Sequence, residues 1–188
     1  MTQPEPSRRR RRGLLGALLG LTVVTLGAGV FSLAVFTDSA ASTGSFATGT
    51  IDITSNPSVL FNVSGMMPGD ENTQALTIAN AGTATLRYAM VSAATNLLGS
   101  TLLLEVKDLG TDCATFDGTT IVGPTVLNGA LIGDVAPGDQ GSDRTLSAAT
   151  NEVLCFKVSL PKATGNGLKG ATSAVTFTFS AEQTANNP

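Results

Sequence analysis

The chain has 188 residues, 13% of them charged, a net charge of -3, and neither histidine nor tryptophan. That length suits one domain with a short appendage, able to bury about two thirds of the surface its unfolded chain exposes. Lacking histidine, it has no HExxH zinc site and no Ser-His-Asp triad; and with five of the eleven bases in Arg8 to Arg12, the part after Ala34 keeps six bases against thirteen acids, no electrostatic footprint for nucleic acid or anionic lipid.

Residues 1–7 are polar, contain proline and show no apolar periodicity, so they are expected to be disordered. Arg8 to Arg12 then form a positive n-region, and Gly13 to Phe36 runs for 24 residues without a charge, enough for a helix to cross a bilayer. Two readings of this apolar helix stand. As a cleaved signal peptide (1–34, with n-region 1–12 and apolar part 13–34), it ends with Ser32 and Ala34 as the small residues that a signal peptidase reads before a cut between Ala34 and Val35. As a retained anchor it would span residues 13–36, with the arginines on the cytoplasmic side and the membrane touched only through this leader. The small-x-small site favours cleavage. The Ser-Arg-Arg start also meets a twin-arginine pattern, which a run of five arginines meets too easily to be informative.

Cleavage would leave 35–45 as the mature N-terminal segment, ahead of a domain over 46–188. There the periodicity is two. Ile51 and Ile53 alternate with Asp52 and Thr54, and after the Asn56-Pro57 break Val59, Phe61 and Val63 alternate with Leu60, Asn62 and Ser64. Pro68-Gly69-Asp70 is a turn. Leu76 and Ile78 define the next strand, closed by Asn80-Ala81-Gly82, and Leu86, Tyr88 and Met90 share a face against Arg87, Ala89 and Val91. Leu102, Leu104 and Val106 repeat the pattern against Leu103, Glu105 and Lys107. Residues 109–124 read as a long loop or weak hairpin turning at Asp117-Gly118, followed by a weak strand over 125–132 and a second turn at Pro137-Gly138-Asp139. Leu154, Phe156, Val158 and Leu160, and then Val175, Phe177, Phe179 and Ala181, form inward rows of two strong final strands. Eight or nine short strands with no helix after residue 36 predict an all-β antiparallel β-sandwich, jelly-roll or Ig-like, preceded by the apolar signal helix.

Cys113 and Cys155 are the two cysteines. In an exported chain a disulfide is favoured over free thiols, metal ligands or a nucleophile, because oxidising compartments preserve it and no histidine is present to activate a thiolate. Alternation puts Cys155 opposite the Leu154/Phe156 row, so the bond would tie the 109–124 loop across an outer sheet surface.

Phe36-Thr37-Asp38 after the leader, Phe46-Ala47-Thr48-Gly49-Thr50-Ile51-Asp52-Ile53, the stretch from Val59 to Met90, and the closing CFKVSLP and FTFSAEQ segments resemble the TasA/camelysin family of exported bacterial proteins. The resemblance implies processing by a SipW-type signal peptidase, a jelly-roll-like sandwich, and assembly into extracellular biofilm-matrix fibres by donation of the mature N-terminal strand. It places that donor strand at Val35, Phe36, Thr37 and Asp38. Camelysin itself is described as a cell-surface metalloprotease. The chain departs from the fibre formers in its arginine run, its cysteine pair and its short C-terminus.

Other chemistry is thin. Asp70 with Glu71 and Asp139 with Asp143 read as turn formers with the option of a weak Ca²⁺ site, but without EF-hand spacing. Leu160 to Gly165 has one residue too many for a sortase signal, and Gly165-Asn166-Gly167 lacks the helix a phosphate loop requires. With no catalytic residue, metal ligand or cofactor expected, the sequence reads as a secreted, non-enzymatic structural protein of the cell surface or matrix. Its expected partners are the signal peptidase and then itself or a matrix component. A membrane-anchored binding module using the 109–124 loop is the alternative, and a camelysin-like protease is the third and least favoured reading.

Overall fold

A computed structural model describes residues 44–187. The expected signal peptide, the cleavage pair Ala34 and Val35, and the donor residues Phe36, Thr37 and Asp38 lie outside the described residues. From Ala47 onward the chain forms one compact unit, with nine strands and a single three-residue 3-10 turn, Asn166–Leu168. The strands are β1 (Ile53–Asn56), β2 (Glu71–Asn80), β3 (Leu86–Ala94), β4 (Leu103–Asp108), β5 (Thr120–Val126), β6 (Leu131–Ile132), β7 (Arg144–Leu146), β8 (Asn151–Ser159) and β9 (Val175–Gln183).

All pairings are antiparallel. One sheet has the order β1-β2-β8-β4-β5. In the other, β3 is central. β9 pairs along its whole length, while β7 takes Leu86 to Tyr88 and β6 takes Met90 and Val91, so these two short strands lie end to end on the opposite edge. The sheets share one core, to which the first contributes Leu76, Ile78, Leu104, Val106, Leu154 and Phe156 and the second Leu86, Tyr88, Met90, Ile132 and Leu146. Phe156 meets Phe177 edge-on, ring centroids 5.3 Å apart, across the two sheets. The period-two rows read for β2, β3, β4 and β8 are buried and that of β9 is partly so, because a strand with one covered face must place every second side chain inward.

Several expected elements differ. Val59 to Val63 form no strand; residues 57–68 are irregular. Pro57 ends β1 by removing a donor, and Leu60 and Phe61 both turn toward the core, which strict alternation forbids. Ile51 and Asp52 precede β1 instead of opening it, but Thr83 and Ala81 donate to the carbonyls of Thr50 and Asp52 at 2.9 and 2.8 Å. That approach requires Gly82, where a Cβ would lie 2.3 Å from the Thr50 carbonyl oxygen. The expected 109–124 loop ends at Thr119 and becomes β5, and the weak strand over 125–132 is split between β5 and β6. β7 has no sequence signal beyond three residues. Arg87 and Ala89 point to the outer face as expected, yet Arg87 is only 5% exposed, because Asp139 and Glu182 close over its guanidinium.

Candidate functional site

Two polar clusters and one sheet edge are the places where this fold could do something beyond fold. The first cluster joins the sheets at the β3/β7/β8 corner. The Tyr88 hydroxyl donates to Glu152 Oε1 at 2.6 Å, and Arg144 donates to both oxygens of Glu152 and, at 2.8 Å, to Asp108. Burial, reinforced by the Glu152 hydrogen bond, pushes the Tyr88 phenol far above its ordinary value, and the Glu152 hydrogen bond raises Arg144 further. Each member is occupied by the others, so the cluster is a tie between sheets with no free base or acid.

The sign of the tyrosine shift gives a test. Folded Tyr88 keeps a proton that the unfolded chain surrenders near pH 10. Stability is therefore undiminished by this group below about pH 10 and falls as pH rises beyond it. Tyr88 is the chain's single tyrosine, so tyrosinate absorbance reports it alone. We expect that absorbance to appear only together with alkaline unfolding. A separate titration near pH 10 in protein whose circular dichroism is still native would show the phenol is not locked.

The second cluster fixes the C-terminal end of β9. Arg87 donates to Glu182 at 2.6 Å and to the Asn187 carbonyl at 2.9 Å, and Glu182 also accepts from Gly138 and Asn187. The Arg87 hydrogen bond, mainly, holds the Glu182 carboxyl below its usual range.

Cys113 and Cys155 are joined, with Cα atoms 5.1 Å apart. Cys155 is paired with Lys107 across the β4/β8 ladder and with Ala75 across β2/β8, on the sheet's outer surface. The loop it holds is stiffened from within: Asp112 caps Thr115, Asp117 caps Thr111, and both carboxyls are held below their usual range by those hydrogen bonds. Lys107 and Lys157 sit over the Phe116 ring, 4.7 and 4.5 Å from its centroid.

The acidic turns do what turn residues do. Asp70 accepts from Met67 at 2.7 Å and Asp143 from Asp134 at 2.8 Å. No group of three or more His, Cys, Asp or Glu with metal-holding geometry occurs among the described residues. Leu160 is buried at the end of the core and Thr164 turns back onto Pro161, so the segment resembling a sortase signal is built into the domain.

The remaining feature is the edge of β9. Among the described residues β9 pairs only with β3, leaving one side of a nine-residue strand unpaired. Its inward Val175, Phe177 and Phe179 are only partly buried. It carries neither proline nor lysine, two of the devices that usually guard an exposed edge. The other open edges are shorter or broken: β1 has four residues, β6 two and β7 three, β2 is open beyond β1 only over Glu71 to Leu76, and β5 contains Gly123-Pro124 and shifts register against β4. The Phe/Thr alternation of β9 was legible in the sequence. Its position at an edge was not, since edge and centre differ in partners and not in pattern.

No curated protein matches the chain. The family model described as camelysin metallo-endopeptidase matches residues 7–115, more than half of the chain, running through β1–β4 into the loop that carries Cys113. The donor set does not fit the metal that such a description implies. The whole sequence lacks histidine, both cysteines are spent in the disulfide, and the least exposed carboxylates are paired with cations, Glu105 with Lys107 and Lys157 and Glu152 with Arg144. With an all-β antiparallel architecture and this match over its N-terminal half, the chain belongs to the camelysin metallo-endopeptidase family.

Proposed function

We propose that this chain is an exported structural protein of the cell surface or matrix, without peptidase activity, that self-associates by strand addition. Cleavage by a SipW-type peptidase between Ala34 and Val35 frees residues 35–45, and that segment adds to the β9 edge of another copy. The observation that carries this reading is the unpaired nine-residue side of β9 beside a row of half-covered apolar side chains. Backbone pairing supplies affinity in such an addition and alternate side chains set the register; Val35 and Phe36 are the apolar residues available for that. The two sheets around one core support a sandwich of jelly-roll or immunoglobulin-like type.

The test compares protein beginning at Val35 with protein beginning at Ser45 by sedimentation and electron microscopy. All core residues lie between Ile53 and Ala181, inside the compact unit, so both versions retain the core. The longer form is expected to polymerise and the shorter to stay monomeric. A longer form that remains monomeric at high concentration overturns the reading, and an intact leader recovered in the membrane fraction would favour an anchored binding module instead.

A further inference from the structure

The two open sides of the molecule are closed in different ways. On the side where β5 neighbours β6, the connecting turn is fastened: Leu127 and Ala130 are buried, and the Ser92 hydroxyl of β3 donates to both their carbonyls while accepting from the Ala130 amide. On the side where β1 neighbours β9, cover comes from residues 57–66. Leu60 and Phe61 reach the core, Phe61 lying 6.3 Å from Phe177 between ring centroids. Yet among the described residues no backbone hydrogen bond joins 57–66 to either sheet, and its neighbouring Val59 is 67% exposed. The segment shields apolar surface without satisfying the free donors and acceptors of β9.

Its sequence is informative as well. Leu60-Phe61-Asn62-Val63-Ser64 has the order aliphatic, Phe, polar, any, Ser, and Val35-Phe36-Thr37-Asp38-Ser39 has the same order. We propose that residues 57–66 are a removable plug, an internal stand-in for the added strand, which residues 35–45 of a second copy displace. This rests on the strand-addition reading above. The plug keeps Phe177 covered in the free subunit. The arriving strand pairs with β9 through its backbone, as the plug does not, and turns Phe36 inward in place of Phe61 with Val35 on the opposite face, so exchange is favourable and Leu60 and Phe61 are expelled.

Because the chain has no tryptophan, Phe61→Trp places a single reporter on the plug. The experiment titrates protein beginning at Ser45 with a synthetic peptide of residues 35–45, following tryptophan emission and, in parallel, amide exchange of β9. The expected result is a red shift of emission that saturates together with protection of β9. A second measurement uses the unsubstituted protein: chymotrypsin cleavage after Phe61, mapped by mass spectrometry, should rise about tenfold at saturating peptide, as the opened population rises. Protection of β9 with Phe61 still shielded in both assays overturns the plug and leaves strand addition standing. No change at β9, at the reporter or at the cleavage site overturns both.

Discussion

Replacing Cys113 by serine and Cys155 by alanine is expected to lower the unfolding free energy by about 4 kcal/mol. The bond spans a sequence separation of 42, and the loop-closure entropy returned to the unfolded chain by opening a ring of that size amounts to about 4 kcal/mol near 25 °C. The ring contains β5, β6 and β7, so the unfolded state regains freedom across three strands while the native strands β4 and β8 stay hydrogen-bonded neighbours. Loop 109–119 should keep its local shape, since its Asp caps and the Lys107 bond to the Phe116 carbonyl do not depend on sulfur. Against a typical domain stability of about 5–15 kcal/mol, this is a large fraction. Urea denaturation of the oxidised protein and the double variant measures it directly. A loss below about 1 kcal/mol would mean that the reduced, unfolded chain retains contacts across the ring, which removes most of the entropy on which the figure depends.

Asn80 carries the second large effect. It is 1% exposed at the end of β2, and its amide nitrogen donates to the carbonyls of Ala84, Leu146 and Ser147 at 2.8, 3.2 and 3.1 Å, while its oxygen accepts from Gly82 at 2.9 Å. One side chain thus holds the turn from the first sheet to the second and fastens the end of β7 beneath it. Asn80→Ala removes every one of these bonds, taking this partner from the buried Gly82 amide and from the Ala84 and Leu146 carbonyls while the Ser147 carbonyl keeps its bonds from Thr150, for an expected loss of about 3 kcal/mol. Asn80→Asp is the sharper test. A carboxylate of the same shape would face three carbonyl oxygens, so at neutral pH it should be less stable than the alanine variant, and the gap should narrow as the pH drops toward 4 and the acid is protonated. Thermal unfolding at pH 7 and pH 4 reads both. An aspartate variant as stable as the parent would show that the donors are not what holds this turn.

Asn80 also shows where sequence reading stops. Asn80-Ala81-Gly82 was legible as a strand terminator, because asparagine and glycine in that order favour turns. That the amide also holds residues 146 and 147 follows from a crossing between distant segments, and no local pattern encodes it. The same division runs through the other elements. Val175 to Ala181 alternates cleanly and folds as read. Val59 to Val63 alternates too and does not: although β2 is open on that side from Glu71 to Leu76, the chain turns two successive apolar residues, Leu60 and Phe61, inward instead. Arg144 to Leu146 is too short to carry a period, and becomes a strand only because β3 offers it an edge.

For the candidate site the balance is similar. The apolar leader, the small residues before Val35, the cysteine pair and the absence of histidine are properties of composition and spacing, and they bound the chemistry before any coordinate is known. The sequence by itself determined the inward rows of the long strands and the all-β class, because alternation is local and survives whatever the strands pair with. Only the tertiary structure decided that β9 lies at an edge among the described residues, that one flank is fastened through Ser92 and the other merely covered by Leu60 and Phe61, and that Arg87 is buried under two acids. Each of those depends on which strand ends up beside which, and hydrogen bonding between residues far apart in the chain leaves no periodic trace in their order.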